Sequence, residues 1–92
     1  QPKTLADGLR ATRPGEITFP ILQEMAEGIL LVSDEEIRAT VRFLLLRLKI
    51  LVEPSGAASA AAVLYRKLPA DVRSVGVVLS GGNMDWEALL SL

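Results

Sequence analysis

The sequence predicts an α/β fold on the strength of two observations. Val75 to Leu79 is an apolar run, broken only by a glycine and without polar alternation, which is typical of a strand covered on both faces. Ser33, with Glu36 three residues later, begins a long segment of helical periodicity. The predicted order is helix, strand, helix, helix, strand, helix, and this alternation favours helices packed on an open sheet.

The first predicted helix begins near Thr18, which can cap it, with Pro20 in the first turn. Helical spacing of apolar residues continues until Gly28 ends the helix. The short apolar run from Ile29 to Val32 then predicts a strand. The segment before this helix is interpreted as irregular, because it contains the turn signals Ala6-Asp7-Gly8 and Arg13-Pro14-Gly15.

The longest predicted helix runs from Asp34 to about Val52. In its capping box, the Ser33 hydroxyl accepts from a first-turn N–H, and the Glu36 side chain reaches back to the Ser33 N–H. We expect Asp34 to pair with Arg38 four residues later, although the arginines of this helix could also bind an anion. Two apolar stripes predict burial on two sides: Ile37, Val41, Leu44, Leu45, Leu48 and Leu51 form one, and Phe43, Leu46 and Ile50 form the other.

Glu53 is a carboxylate placed between an apolar stretch and Pro54, which stops the helix. Two interpretations remain open: Glu53 caps the next helix, or it is a partly buried acid that faces a ligand. The next helix is rich in alanine from Ala57 to Ala62. Because alanine has so little bulk, this helix can lie very close to a sheet or a cofactor.

The predicted strand at Val75 to Leu79 is followed directly by Ser80-Gly81-Gly82-Asn83. Open α/β sheets bind ligands beyond the carboxyl ends of their strands, where glycine lets the backbone approach a ligand closely. The tetrapeptide is therefore a candidate ligand site, and a plain strand-to-helix turn is the alternative. A short helix is predicted from Asp85 to Leu92.

Composition narrows the possible functions. The 92 residues are half hydrophobic, with a mean hydropathy of +0.36, which predicts a chain within an oligomer or a larger globule. The formal net charge of −1 favours neither nucleic acid nor an anionic membrane as a partner. Cysteine and histidine are absent, which excludes a thiolate nucleophile, a serine–histidine triad and an ordinary zinc site. No metal site is expected.

Neither a signal peptide nor a membrane span is predicted. The opening residues carry no apolar core segment. The most hydrophobic stretch, Phe43 to Val52, is interrupted by Arg47 and Lys49 and is far shorter than the roughly 20 residues that a span requires. We therefore expect a cytoplasmic protein.

Five blocks of this sequence, in order and spacing, resemble the last part of threonine dehydratases and serine racemases, which are pyridoxal-phosphate enzymes of the tryptophan-synthase-β-like fold. The resemblance covers nearly the whole chain and implies that residues 1–92 are the C-terminal part of the larger domain of that fold, an open sheet with flanking helices. The blocks are Thr4-Leu5-Ala6-Asp7-Gly8, Arg13-Pro14-Gly15, Val32 to Ile37, Glu53 with the alanine-rich helix, and Ser80-Gly81-Gly82-Asn83.

The resemblance assigns cofactor contacts to five positions. It implies that Ser80 hydrogen-bonds the pyridine nitrogen of pyridoxal 5′-phosphate, that Gly81 lets the backbone pass the ring, and that Gly8 lines the same pocket. Glu53 matches the family's acid near the ring. Asn83 completes the turn. A neutral hydroxyl does not hold the ring nitrogen protonated as a carboxylate would, and this suits β-elimination.

The implied activity is that of a serine or threonine dehydratase, which converts a hydroxy amino acid to a 2-oxo acid and ammonia. The family's cofactor-bonding lysine and phosphate-binding glycine loop lie upstream of this chain, so no catalytic residue is expected within it. The alternatives are a serine racemase and a non-catalytic module that packs through the helix of residues 34–52. The resemblance also implies an amino-acid substrate and a homo-oligomer. Because the chain stops shortly after the helix predicted from Asp85 to Leu92, we expect no amino-acid-sensing regulatory domain.

Overall fold

The computed structural model describes residues 3–92, and helices make up its regular structure. The four α-helices of this described part are α1 (Thr18–Met25), α2 (Asp34–Phe43), α3 (Pro54–Leu64) and α4 (Trp86–Leu90). A 3-10 turn spans Asp7–Leu9, and a π-helical turn, Leu44–Leu48, continues directly from α2. The first two residues of the irregular N-terminal segment lie outside the described part.

The predicted cap of α2 is confirmed, but the second half of the capping box is wrong. The Ser33 hydroxyl accepts a hydrogen bond of 3.1 Å from the Glu36 N–H. The Glu36 carboxylate does not return to Ser33, because it pairs with the Lys67 ammonium at 3.1 Å. The predicted pair of Asp34 with Arg38 is also wrong, since Arg38 bonds to Glu35 at 3.1 Å.

The central helix ends earlier than the sequence predicts. Its helical path stops at Lys49, which adopts a left-handed conformation with φ of 60°. The reversal satisfies carbonyl groups at the helix end: the Lys49 ammonium donates to the Leu46 carbonyl at 2.7 Å, and the Ile50 N–H donates to the Leu44 carbonyl at 3.2 Å. The chain then turns back, so that Val52 is buried.

The core lies between α2 and α3. It contains the first half of one apolar stripe, Ile37, Val41 and Leu44, and the small side chains of α3, which allow the two helices to approach closely. The buried members are Ala6, Ile37, Val41, Leu44, Val52, Ala57, Ala60 and Ala61. The second stripe of α2 is exposed in the described chain, with Leu46 at 64%. The predicted burial on two sides is therefore met only by the first half of the first stripe, since Leu48 and Leu51 of that stripe are also exposed.

No strand is assigned anywhere in residues 3–92, so the two strand predictions, 29–32 and 75–79, are not met. A strand requires a neighbour whose N–H and C=O groups complete its ladder. The two segments instead line one cavity of about 540 Å³ against α3 without pairing with each other. The Ser59 hydroxyl of α3 donates to the Val78 carbonyl at 2.7 Å, which fixes the second segment beside this helix.

The first and last helices lie close to their predicted positions. Thr18 is the first residue of α1 rather than its cap, and α1 ends at Met25, before the predicted stop at Gly28. The Asp85 carboxylate caps α4 by accepting from the Ala88 N–H at 2.7 Å. Within the described chain, every helix is too short or too polar to cross a membrane.

A double-mutant cycle tests where the Glu36 side chain is stabilised. We expect Glu36→Ala and Lys67→Ala to show a coupling energy of about 0.5–1 kcal/mol, as for a partly exposed ion pair. Glu36→Ala and Ser33→Ala should show almost none, because the reciprocal capping bond is not formed. Urea unfolding measures both, and a larger coupling to Ser33 would contradict the observed pairing.

Candidate functional site

The Ser80–Asn83 turn lies directly against the segment that leads into α3. The Glu53 N–H donates to the Gly81 carbonyl at 3.0 Å. A Cβ atom at Gly82 would lie 2.7 Å from the Leu51 carbonyl oxygen, and one at Gly81 would overlap the Glu53 carboxylate. Gly82 is therefore required by its close approach to backbone, since its φ is not positive, whereas an alanine at Gly81 would displace the Glu53 side chain.

Glu53 occupies the cap position of α3, but its side chain makes no capping hydrogen bond. Its backbone carbonyl accepts from the Ala57 N–H at 3.0 Å, while the carboxylate lies over Gly81. Glu53 is therefore the N-cap residue of α3, as one of the two interpretations predicted, but its carboxylate takes no part in the cap. The carboxylate is half-buried at the positive end of the α3 dipole, a position that favours a negative charge.

Gly8 reaches the same region through a residue that the sequence analysis did not select. Its N–H donates to the Ser55 hydroxyl at 2.8 Å, and a Cβ at Gly8 would collide with that hydroxyl. Ser55 lies in the first turn of α3, two residues after Glu53. From the sequence, Pro54 to Gly56 indicates only the start of a helix. No local pattern distinguishes a serine that bonds to a distant loop from any other serine in a first helical turn.

A second missed residue, Asp34, fixes the start of that loop. Its carboxylate accepts from the Thr4 hydroxyl and, at 3.0 Å, from the Leu5 N–H. These two hydrogen bonds hold the Asp34 pKa below its ordinary value and outweigh the opposing effect of burial; the charges of Arg38 and Arg10 add a smaller lowering. The sequence showed Asp34 as a helix-start acid but did not indicate a partner thirty residues earlier.

A cavity of about 190 Å³ joins these elements. Its polar lining includes Asp7 of the loop, Glu53 at the start of α3, and Asn83 with Asp85 after the turn. The structure thus brings Glu53, Gly81 and Asn83 together, and Gly8 lies beside them through Ser55. Ser80 is exposed and does not line this cavity, although it directly precedes Gly81.

The lysines of the described chain are engaged elsewhere or lie outside the site. Lys67 pairs with Glu36, and the Lys49 ammonium bonds to a backbone carbonyl. Lys3 is exposed in the N-terminal segment. In residues 3–92 there is also no cluster of three side chains suited to a metal ion. The chemistry available at the site is therefore hydrogen bonding and charge from a hydroxyl, an amide and carboxylates, which suits binding and orienting a ligand.

The fold is that of the fold-type II pyridoxal-phosphate enzymes. The crystal structure of a T.th. threonine deaminase superposes with a TM-score of 0.83 at 47% sequence identity, and the match covers 92% of this chain and 31% of that chain. The model of the family described as "Pyridoxal-phosphate dependent enzyme" matches residues 1–81. The chain belongs to this family, whose cofactor is pyridoxal phosphate.

The curated proteins that are similar to this chain include serine racemases and ammonia-lyases. Serine racemase of Dictyostelium discoideum is 40% identical over 91 residues, which cover 97% of this chain and 28% of that protein. L-Threonine ammonia-lyase of Geobacter sulfurreducens is 44% identical over 86 residues, which cover 94% of this chain and 21% of that protein. The chain therefore spans less than a third of these relatives.

Replacement of Gly82 tests the close contact between the turn and Leu51. Because an added Cβ meets a backbone oxygen that cannot swing aside, we expect Gly82→Ala to lower the free energy of unfolding by about 1–3 kcal/mol. Gly76→Ala is the matched control on the same segment, since nothing lies within 4 Å of its added Cβ. Equal urea midpoints for the two variants would contradict the contact.

The lowered Asp34 pKa predicts a pH-dependent contribution to stability. A carboxyl whose pKa is lower in the folded than in the unfolded state stabilises the fold above the unfolded value and loses this effect as the pH falls through the folded value. We expect the stability difference between wild type and Asp34→Asn to shrink below about pH 4. Urea unfolding over a pH series measures it, with Glu35→Gln as the control for removing one acid; a difference that is constant with pH would contradict the assignment.

Proposed function

We propose that residues 1–92 form the C-terminal part of the larger domain in a pyridoxal-phosphate-dependent serine or threonine ammonia-lyase. The proposed reaction is β-elimination, which converts a hydroxy amino acid to a 2-oxo acid and ammonia. The observation that carries the proposal is the meeting of the Ser80–Asn83 turn with Glu53 and the Gly8 loop. Three separated segments thereby supply polar groups to one small region beside the start of α3.

In this proposal, the Ser80 hydroxyl would donate a hydrogen bond to the pyridine nitrogen of the cofactor. Its exposure leaves that hydroxyl accessible to a ligand, and a hydroxyl can donate to an unprotonated ring nitrogen whereas a carboxylate cannot. When bound, the cofactor withdraws electrons from the substrate's α-carbon. A neutral hydroxyl at Ser80 would leave the ring nitrogen unprotonated and this withdrawal weaker, which suits a reaction in which the β-hydroxyl departs as a leaving group.

Four further residues complete the proposed cofactor contacts. Gly81 gives the ring a surface without a side chain, and Glu53 stays beside it because the Glu53 N–H is bonded to the Gly81 carbonyl. Gly8, in the N-terminal loop, is held near this region by the hydrogen bond from its N–H to the Ser55 hydroxyl. Asn83 shares the 190 Å³ cavity with Glu53 and ends the turn. A carboxylate, an amide and side-chain-free backbone meet here, and the exposed Ser80 hydroxyl directly precedes them in the chain; this set of groups supports binding of a flat, polar, aromatic group.

The remainder of the proposed catalytic unit supplies the cofactor-bonding lysine and the phosphate-binding loop. We propose that it also supplies the strands that pair with residues 29–32 and 75–79, which complete an open sheet. Two observations support this. The two segments line the 540 Å³ cavity, and the second stripe, Phe43, Leu46 and Ile50, is exposed, so that both present apolar surface to a partner. A cytoplasmic homo-oligomer remains the expected state of the whole protein.

Serine racemisation is the second candidate function. The similarity to the Dictyostelium serine racemase, at 40% identity over 97% of this chain, favours racemisation. The similarity to the ammonia-lyases, which favours elimination, is of comparable strength. Both reactions use the same cofactor and begin with loss of the α-proton. They differ in whether the β-hydroxyl leaves or a proton returns to the opposite face.

The whole protein, incubated with pyridoxal phosphate and L-serine or L-threonine, tests the proposal. We expect 2-oxo acid and ammonia in equal amounts, and D-serine in excess of pyruvate would instead support the racemase. Ser80→Ala should lower cofactor affinity about five- to tenfold, as for one lost hydrogen bond. Ser74→Ala, on the same segment, is the control. A protein that binds no cofactor would overturn the proposal.

A further inference from the structure

The loop that carries Gly8 is held at both ends by contacts with two different helices. At its start, Asp34 of α2 accepts from Thr4 and Leu5. At its end, the Gly8 N–H donates to Ser55 of α3 at 2.8 Å. The loop between these points is short, so its position is set by where α2 and α3 lie.

The contact with Asp34 uses both carboxylate oxygens. One oxygen accepts from the Thr4 hydroxyl, and the other accepts from the Leu5 N–H at 3.0 Å. The Thr4 hydroxyl oxygen in turn accepts from the Ala6 N–H at 3.2 Å, and Arg10 donates to the Thr4 carbonyl at 2.9 Å. These bonds order the loop around the Asp34 carboxylate and place Ala6 in the core, where it is 1% exposed.

The same loop forms one wall of the candidate site. Leu5 and Asp7 line the 190 Å³ cavity together with Glu53 and Asn83. Asp34 itself does not line that cavity. Its hydrogen bond to the Leu5 N–H therefore connects the first turn of α2 to the wall of the site, although Asp34 lies outside the cavity.

We propose that Asp34 is a positioning residue for the cofactor site: its carboxylate holds Thr4 and Leu5 so that Asp7 and Gly8 face Glu53. This inference rests on the proposed function and adds a role for a residue outside the site. Releasing the carboxylate leaves the loop attached through the Gly8–Ser55 hydrogen bond and the apolar contacts of Leu5 and Ala6 with the core. The wall then becomes mobile without loss of any group that contacts the cofactor.

Cofactor titration of the whole protein tests the proposal. We expect Asp34→Ala to weaken affinity for pyridoxal phosphate about tenfold, because binding must then also order the loop, and to change the absorption spectrum of the bound cofactor. Thr4→Val should have a smaller effect, because the Leu5 N–H keeps its bond. Glu35→Ala is the matched control: it removes an acid from the same helix turn, and this acid pairs with Arg38.

The outcomes separate the inference from the proposed function. An Asp34→Ala protein that loses thermal stability but keeps the wild-type affinity and spectrum would overturn the positioning role. If Asp34→Ala does not fold, Thr4→Val must weaken the affinity relative to Glu35→Ala, and equal affinities would overturn the role. A wild-type protein that binds no pyridoxal phosphate would overturn the proposed function itself.

Discussion

The contact between the Ser80–Asn83 turn and the segment before α3 is the constraint on which the candidate site depends. One backbone hydrogen bond, from Glu53 to Gly81, joins two segments that are far apart in the chain. Glycine at 82 permits this approach, since a Cβ there would collide with the Leu51 carbonyl oxygen, and a Cβ at Gly81 would displace the Glu53 carboxylate. The early reversal at Lys49 serves the same contact, because it buries Val52 and brings Glu53 to the turn.

Packing between α2 and α3 holds that contact in place. The small side chains of α3 allow close approach to one stripe of α2, and both helices also hold the N-terminal loop. Asp34 holds the start of this loop and Ser55 holds its end. The loop, the turn and Glu53 are thereby held in position by the same pair of helices. This explains how distant parts of the sequence line one cavity.

Much of the fold could be predicted from local patterns, because helix caps depend on neighbouring residues. Ser33 and the helices around it are examples. The Glu36 ion pair with Lys67 and the bonds of Asp34 could not be predicted, since each depends on a partner brought close only by tertiary packing. The predicted strands, 29–32 and 75–79, require ladder partners that the described residues do not contain. The resemblance selected the site residues as a group, and local chemistry alone left Glu53 with two roles.

The central claim is that the Ser80–Asn83 turn and Glu53 hold the ring of the cofactor. A crystal structure of the whole protein loaded with pyridoxal phosphate tests it most directly. The account predicts the ring nitrogen at about 3 Å from the Ser80 hydroxyl, with Gly81 against the ring and Glu53 beside it. A ring bound elsewhere, with Ser80 in contact with solvent, would contradict the account.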